Sequence, residues 1–128
     1  VMTSNCIVTG AAGFIGSHLV ESLINLGHNV IAIDNTSANN EKFYWNSKAE
    51  NHKISILEYE KLIPLFNDID FVFHLAAESR ITNAIESPKN TYEVNLIGTE
   101  NILKASLENN VKRVIFSSTS SIYGLNVS

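Results

Sequence analysis

Cysteine is almost missing from this 128-residue chain: Cys6 is the single thiol. No disulfide can therefore form within the chain, which fits a reducing, cytoplasmic setting, and a cysteine-based zinc centre lacks its ligands. Cys6 stands inside an apolar run and reads as a small buried hydrophobe. The four histidines, His18, His28, His52 and His74, show no metal-ligand spacing. Long hydrophobic runs are also lacking, and nothing approaches the ~20 residues of a membrane-crossing helix. The first apolar stretch is short and runs into glycines, so it does not have the form of a signal peptide. Positive charge is sparse: the formal net charge is −4, and the lysines are scattered without a basic stripe. That distribution speaks against a nucleic-acid surface, and with no long apolar run no membrane partner is expected. There is no Gly-x-Ser-x-Gly elbow to support a serine hydrolase. What is present, 45% apolar and 17% charged residues, is ordinary for one globular domain large enough to bury a core.

The apolar pattern alternates between strands and helices. Residues 5–9, 29–33, 53–57, 70–74 and 112–117 read as short strands, nearly all apolar. Ile15, Leu19, Leu23 and Leu26 recur at helical spacing and predict a helix over 13–26, ended by Gly27. Residues 58–66 read as a short helix that contains Pro64. Residues 89–108 read as the longest helix, with Tyr92, Leu96, Thr99, Leu103 and Ser106 along one side. The stretch 36–51 is polar apart from Phe43-Tyr44-Trp45 and reads as a long loop, those rings forming either a lid on the adenine side or a satellite hydrophobic cluster. Apolar strands alternating with helices predict an α/β fold with a parallel sheet covered on both faces. Right-handed crossovers and a glycine turn after the first strand select a Rossmann, doubly wound sheet of order 3-2-1-4-5. Ligands of such sheets lie beyond the carboxyl ends of the strands, where the order reverses.

The chemistry-bearing stretch is Thr9-Gly10-Ala11-Ala12-Gly13-Phe14-Ile15-Gly16. A strand, a glycine turn and a helix N-terminus in that order make a phosphate-binding device, because free N–H groups and the positive end of the helix dipole face the anion. Glycine triplets are common, but this one has the confirming context. Asp34 ends the second strand about two dozen residues after Gly10, where a carboxylate accepts hydrogen bonds from ribose hydroxyls and repels a 2′-phosphate. Asn35, Thr36 and Ser37 follow it, with no arginine among them, so the expected cofactor is NAD rather than NADP.

Five segments, read together, resemble the extended short-chain dehydrogenase/reductase family, and within it the nucleotide-sugar epimerases and dehydratases. They are Thr9-Gly10-x-x-Gly13-x-x-Gly16, Asp34-Asn35, His74-Leu75-Ala76-Ala77, Asn95-x-x-Gly98-Thr99 and Ser117-Ser118-Thr119-x-x-x-Tyr123-Gly124. The resemblance covers essentially the whole chain in family order. It implies that Phe14 and Ile15 offer backbone N–H groups to the pyrophosphate and that Asp34 and Asn35 hold the adenosine ribose. Leu75, Ala76 and Ala77 would line the cofactor channel, Asn95 would sit near the nicotinamide side, and Ser117 would lie on the cofactor side of the last strand. Family members often carry an aspartate after strand three for the adenine amino group; here Glu58 stands near that place. His74, within the family's HLAA pattern, reads as a packed, hydrogen-bonded histidine. Thr119 would touch the sugar oxygen being oxidised or reduced, with Ser79, Arg80 and Ser120 on the substrate side. The implied substrate is a UDP- or dTDP-sugar, and the implied assembly is a homodimer built through long helices like 89–108.

Two departures from the family shape the reading. Dehydratases of the family usually follow the threonine with Asp-Glu, whereas this chain has Ser120-Ser121, which favours epimerisation. Against that, Ala76-Ala77-Glu78-Ser79-Arg80 is close to the pattern of the 4,6-dehydratases, so a dehydratase or decarboxylase stays open. The family's Tyr-x-x-x-Lys base is expected past Ser128, and Tyr123 cannot supply it, because Val127 stands four residues on. Residues 1–128 are therefore expected to form the NAD-binding amino-terminal part of a longer enzyme, inactive alone and without the substrate domain. A non-catalytic NAD-binding module is the remaining alternative.

Overall fold

The computed structural model describes residues 3–36, 43–75 and 93–116, with side chains described from 96 onward in the last stretch. The chain builds β1 (Asn5–Thr9), α1 (Phe14–Asn25), β2 (Asn29–Ile33), β3 (Glu50–His52), α2 (Tyr59–Leu62) and a 3-10 turn (Ile63–Phe66). It continues with β4 (Phe71–His74), a π-helical segment (Glu93–Gly98), α3 (Thr99–Glu108) and β5 (Arg113–Phe116). The strands form one parallel sheet of order β3-β2-β1-β4-β5, the order expected from the sequence.

β1 is central and buried on both faces, so its residues divide between two cores. Ile7 joins Ile33, Val72, Phe66, Leu62, Ile102 and Ala105 under α2 and α3. Cys6 and Val8 join Val20, Leu23, Val30 and Ala32 under α1. The period-2 alternation of a strand produces this division. Burial, aided by nearby Asp70, pushes the Cys6 thiol up to about 11, so it packs as an inert hydrophobe. Helix α1 closes as its sequence predicts. Gly27 takes φ +94°, its N–H reaches the Ile24 carbonyl, and the His28 N–H reaches that of Leu23, the paired bonds of a Schellman cap.

Two expectations are corrected. The third strand is Glu50–His52, earlier than 53–57. Its pairing with β2 ends at Asp34, whose N–H donates to the His52 carbonyl at 3.1 Å, after which Thr36 turns away with φ +56°. Ile54 and Ile56 still pack on the core, but from a turn. There the Ser55 Oγ accepts the Leu57 N–H, and the Glu58 carboxylate accepts the Ser55 N–H at 3.0 Å. With the Glu58 N–H on the Ser55 carbonyl at 3.0 Å, these bonds make a turn that ends the extended run and leads into α2, for which Glu58 is the N-cap.

The second correction concerns the face that α3 buries. The residues turned inward are Gly98, Ile102, Ala105 and Ser106, whereas Leu96 and Leu103 are 44% and 39% exposed. At Gly98, just ahead of α3, the chain lies too near the Ile56 side chain for a larger residue. A Cβ on Gly98 would overlap Ile56 Cδ1 and come within 2.6 Å of Cγ1. The π-helical turn ahead of Thr99 also shifts the phase, so residues before and after it do not share one 3.6-residue stripe. The expected helix start at 89, and Tyr92 with it, lies outside the described residues.

Candidate functional site

The glycine turn is fixed by sterics at two of its glycines. Gly10 takes φ +65°, a conformation that disfavours side chains. A Cβ on Gly16 would overlap the Gly10 carbonyl oxygen and come within 2.8 Å of its carbon, so only glycine lets α1 start this close to β1. Gly13 precedes the helix in extended conformation, and the helical ladder begins with the Ser17 N–H on the Gly13 carbonyl at 2.8 Å. The N–H groups of Phe14, Ile15 and Gly16 thus precede the ladder at the carboxyl end of β1. Phe14 and Ile15 are both about two-thirds exposed, at 67% and 68%. No acidic side chain stands in the first turn of α1 to compete for that positive end.

Ala12 is the peptide on which the corner is clamped. Its N–H donates to Asp34 Oδ2 at 2.9 Å, and its carbonyl accepts the Tyr44 N–H at 2.7 Å. The other carboxylate oxygen, Oδ1, accepts the Thr36 N–H at 2.8 Å. One carboxylate therefore ties the tip of β2 to the glycine turn, with lone pairs left on both oxygens for further donors. Asn35 lies beside it. Tyr44 and Trp45 belong to neither core; with Phe14, His18, Glu21 and Asn46 they line an open cleft of about 400 Å³ against α1.

A second polar cluster lies where β1 and β4 end. His74 is buried between Thr9 Oγ1, 2.8 Å from its Nδ1, and Thr99 Oγ1, 3.0 Å from its Nε2. Thr9 Oγ1 also accepts the Leu75 N–H at 2.9 Å, and the Phe116 ring meets the imidazole edge-on. Burial pushes the His74 imidazole down to about 4, so it is neutral near pH 7. The sequence reading of His74 as a packed, hydrogen-bonded histidine agrees with this geometry. Neither threonine partner was legible from spacing, since three separate elements bring them together.

Gly10, Gly13, Phe14, Ile15, Gly16, Asp34 and Asn35 thus gather at one corner of the sheet, and Leu75 follows the end of β4 beside β1. Glu58 has other work: it opens α2, bonding the Ser55 N–H and pairing with Lys61 at 2.7 Å. Those bonds hold its carboxyl below the usual range, the Lys61 contact first. Asn95 falls in the π-helical segment, its side chain outside the description. Ala76, Ala77, Ser79, Arg80, Ser117, Thr119 and Ser120 lie outside the described residues. Among the described residues no group of three or more His, Cys, Asp or Glu could hold a metal ion, and no helix is long and apolar enough to cross a membrane.

Comparison with known proteins identifies the family. The chain is 42% identical over 133 residues to a UDP-N-acetyl-alpha-D-glucosaminuronate decarboxylase of Bacillus cytotoxicus, covering 96% of this chain and 39% of the relative. A UDP-glucose 4-epimerase of Thermotoga maritima, solved with UDP-glucose, superposes with TM-score 0.86 at 38% identity, covering 97% of this chain and 41% of that one. A UDP-glucose 4-epimerase of Thermus thermophilus, solved with NAD, gives TM-score 0.81 at 31% identity over 90% of this chain and 37% of that one. The chain thus spans about two-fifths of the length of the proteins it matches. Residues 6–128 match the family described as the NAD dependent epimerase/dehydratase family, and with a parallel Rossmann sheet of order 3-2-1-4-5 the chain belongs to that family.

Proposed function

We propose that this chain is the NAD-binding portion of a nucleotide-sugar epimerase. The observation that carries the reading is the 2.9 Å bond from the Ala12 N–H to Asp34 Oδ2. It joins the carboxylate proposed to read the ribose directly to the turn proposed to hold the pyrophosphate, two adjacent parts of one dinucleotide. The turn fits the group on its own evidence: Gly10 at positive φ and Gly16 without room for a Cβ leave backbone, not side chains, facing the anion.

Each residue has a definite task in this reading. The Phe14 and Ile15 amides and the dipole of α1 hold the pyrophosphate. Asp34 accepts the ribose hydroxyls with its remaining lone pairs, beside Asn35, and its charge disfavours a 2′-phosphate. Leu75, Ala76 and Ala77 line the channel, with Asn95 and Ser117 on the nicotinamide side. Thr119 orients the reacting sugar oxygen, and Ser79, Arg80 and Ser120 face the substrate. NAD, when bound, supplies a reversible hydride acceptor, which allows a sugar carbon to be oxidised and then reduced on its other face. Serines at 120 and 121 have no usable proton affinity near pH 7, which supports epimerisation over elimination. The whole protein takes a UDP- or dTDP-sugar and works in the cytoplasm as a homodimer. Leu103 and Leu107, exposed on the outer side of α3, support pairing through that helix.

A second reading has specific support. The relative at 42% identity is named a decarboxylase, and the Glu78-Ser79-Arg80 segment resembles the dehydratase pattern. Product analysis by the full-length protein separates the two. Interconversion of UDP-glucose with its 4-epimer supports the first reading. Release of carbon dioxide from a UDP-hexuronate, without epimer, replaces it with the second.

A further inference from the structure

We infer that His74 is a positioning residue for the cofactor channel, acting through the Thr9 hydroxyl on the Leu75 amide. This rests on the NAD-binding role proposed above. Thr9 Oγ1 is the junction of the device. It lies 2.8 Å from His74 Nδ1 and accepts the Leu75 N–H at 2.9 Å, while His74 Nε2 lies 3.0 Å from Thr99 Oγ1 on α3. The chain of contacts therefore begins on α3, crosses the end of β4, reaches the last residue of β1 and ends on the first peptide after β4.

The geometry is asymmetric, and this makes the role specific. The hydroxyl that holds the Leu75 amide belongs to the residue immediately before the first glycine of the turn, since Thr9 precedes Gly10. One contact thus sets the register between the proposed pyrophosphate turn and the proposed channel wall. The Thr99 contact fixes only the imidazole plane against the helix. A neutral imidazole donates from one nitrogen and accepts at the other, so it can bridge two hydroxyls with one proton and orient both. Loss of Thr9 Oγ1 would leave the Leu75 N–H without its acceptor in a site closed on one side by His74.

The two arms can be tested separately. Asparagine at 74 places its amide atoms where Nδ1 stands and keeps the Thr9 arm; glutamine reaches one bond farther, to the Nε2 position, and keeps the Thr99 arm. NAD affinity and Tm are measured on the full-length protein for each variant. Thr9→Val and His74→Gln are expected to weaken NAD binding about tenfold, the scale of one buried donor losing its acceptor. Thr9→Ser and His74→Asn are expected to stay within about twofold of the unaltered protein, and Thr99→Val to lower Tm without weakening NAD. NAD affinities that follow Tm alone, or equal losses in His74→Asn and His74→Gln, overturn the inference. Should Thr9→Val fail to fold, hydrogen exchange at the Leu75 amide of the unaltered protein serves instead. It is expected to slow when NAD binds, and unchanged exchange overturns the inference. An unaltered protein that binds no NAD overturns the cofactor assignment itself, which is a different failure.

Discussion

At its first residue β1 meets Asp70: the carboxylate takes the Asn5 N–H at 2.8 Å, and the Asp70 N–H takes the Asn5 carbonyl at 2.8 Å. The Asn5 side chain reaches the Asp68 carbonyl and accepts from Asn29, and Lys112 stands 3.3 Å from the Asp70 carboxylate. At its last residue the same strand meets His74 and Leu75, and just beyond it Asp34 takes the Ala12 amide. Both ends are dense in polar contacts, but they differ in what they hold. At the amino edge the contacts tie the start of β1 to the start of β2 and to the residues that lead into β4 and β5, and so close the sheet. At the carboxyl edge the contacts end on loop peptides, Ala12 and Leu75, and so set where backbone amides point. Polar groups at the first edge serve stability; under the proposed function those at the second serve recognition as well.

Substitutions and acid can break or sharpen this contrast. The largest effect is expected at Gly16, where an alanine Cβ overlaps the Gly10 carbonyl oxygen. Gly16→Ala should cost more than about 3 kcal/mol of stability or abolish NAD binding outright, since the clash is with backbone and cannot be relieved by a rotamer. Unaltered Tm and NAD affinity in this variant would remove the steric argument for the turn.

Acid should act next, through His74. Its folded pKa lies near 4, below the usual 6.5. The unfolded chain therefore binds more protons between those values, and stability rises with pH across that window. The contribution is complete above about 6.5, and falling pH should remove about 3 kcal/mol by pH 4. Urea unfolding against pH should show this loss in the unaltered protein and lack it in His74→Asn. Equal slopes in the two proteins would contradict the burial of a neutral imidazole.

Asp34→Ala removes a carboxylate that receives two backbone amides. It should weaken NAD by about 2 kcal/mol, roughly thirtyfold, with a smaller loss of Tm. Asp70→Asn is the matching test at the other edge. Asp70 is held below the usual carboxylate range by the Asn5 amide and then by Lys112, so its contribution is present above the ordinary carboxylate pKa and is lost as pH falls through the depressed one. The variant should lower Tm by about 2–5 °C near pH 7, the effect vanishing in strong acid, with NAD affinity within about twofold. A loss of NAD affinity at Asp70→Asn as large as at Asp34→Ala would erase the distinction between the two edges.

The contrast also explains what could be read from the sequence. Local features were legible: the Gly10–Gly16 turn, Asp34 at the tip of β2 and Gly27 closing α1 each rest on residues close together in the chain, and the strand order followed from general crossover rules once that turn was read. The third strand was misplaced because Ile54 and Ile56 are apolar for core packing while Ser55 and Glu58 turn the backbone. That Ser-x-x-Glu pattern was the available signal. The side with Leu96 and Leu103 is not the buried one, because close approach at Gly98 and the phase change at the π-helical turn decide which residues face inward. The Thr9–His74–Thr99 bridge joins residues 65 and 25 positions apart, and no local pattern encodes such a contact.

The central claim is that Asp34 and the glycine turn together read an unphosphorylated adenosine ribose. The most direct measurement is thermal unfolding of the protein with NAD and with NADP at equal concentration, since a ligand raises Tm according to its affinity for the folded state. The account predicts a clearly larger rise with NAD in the unaltered protein and a narrowed difference in Asp34→Ala. Equal rises with the two cofactors in the unaltered protein would contradict it.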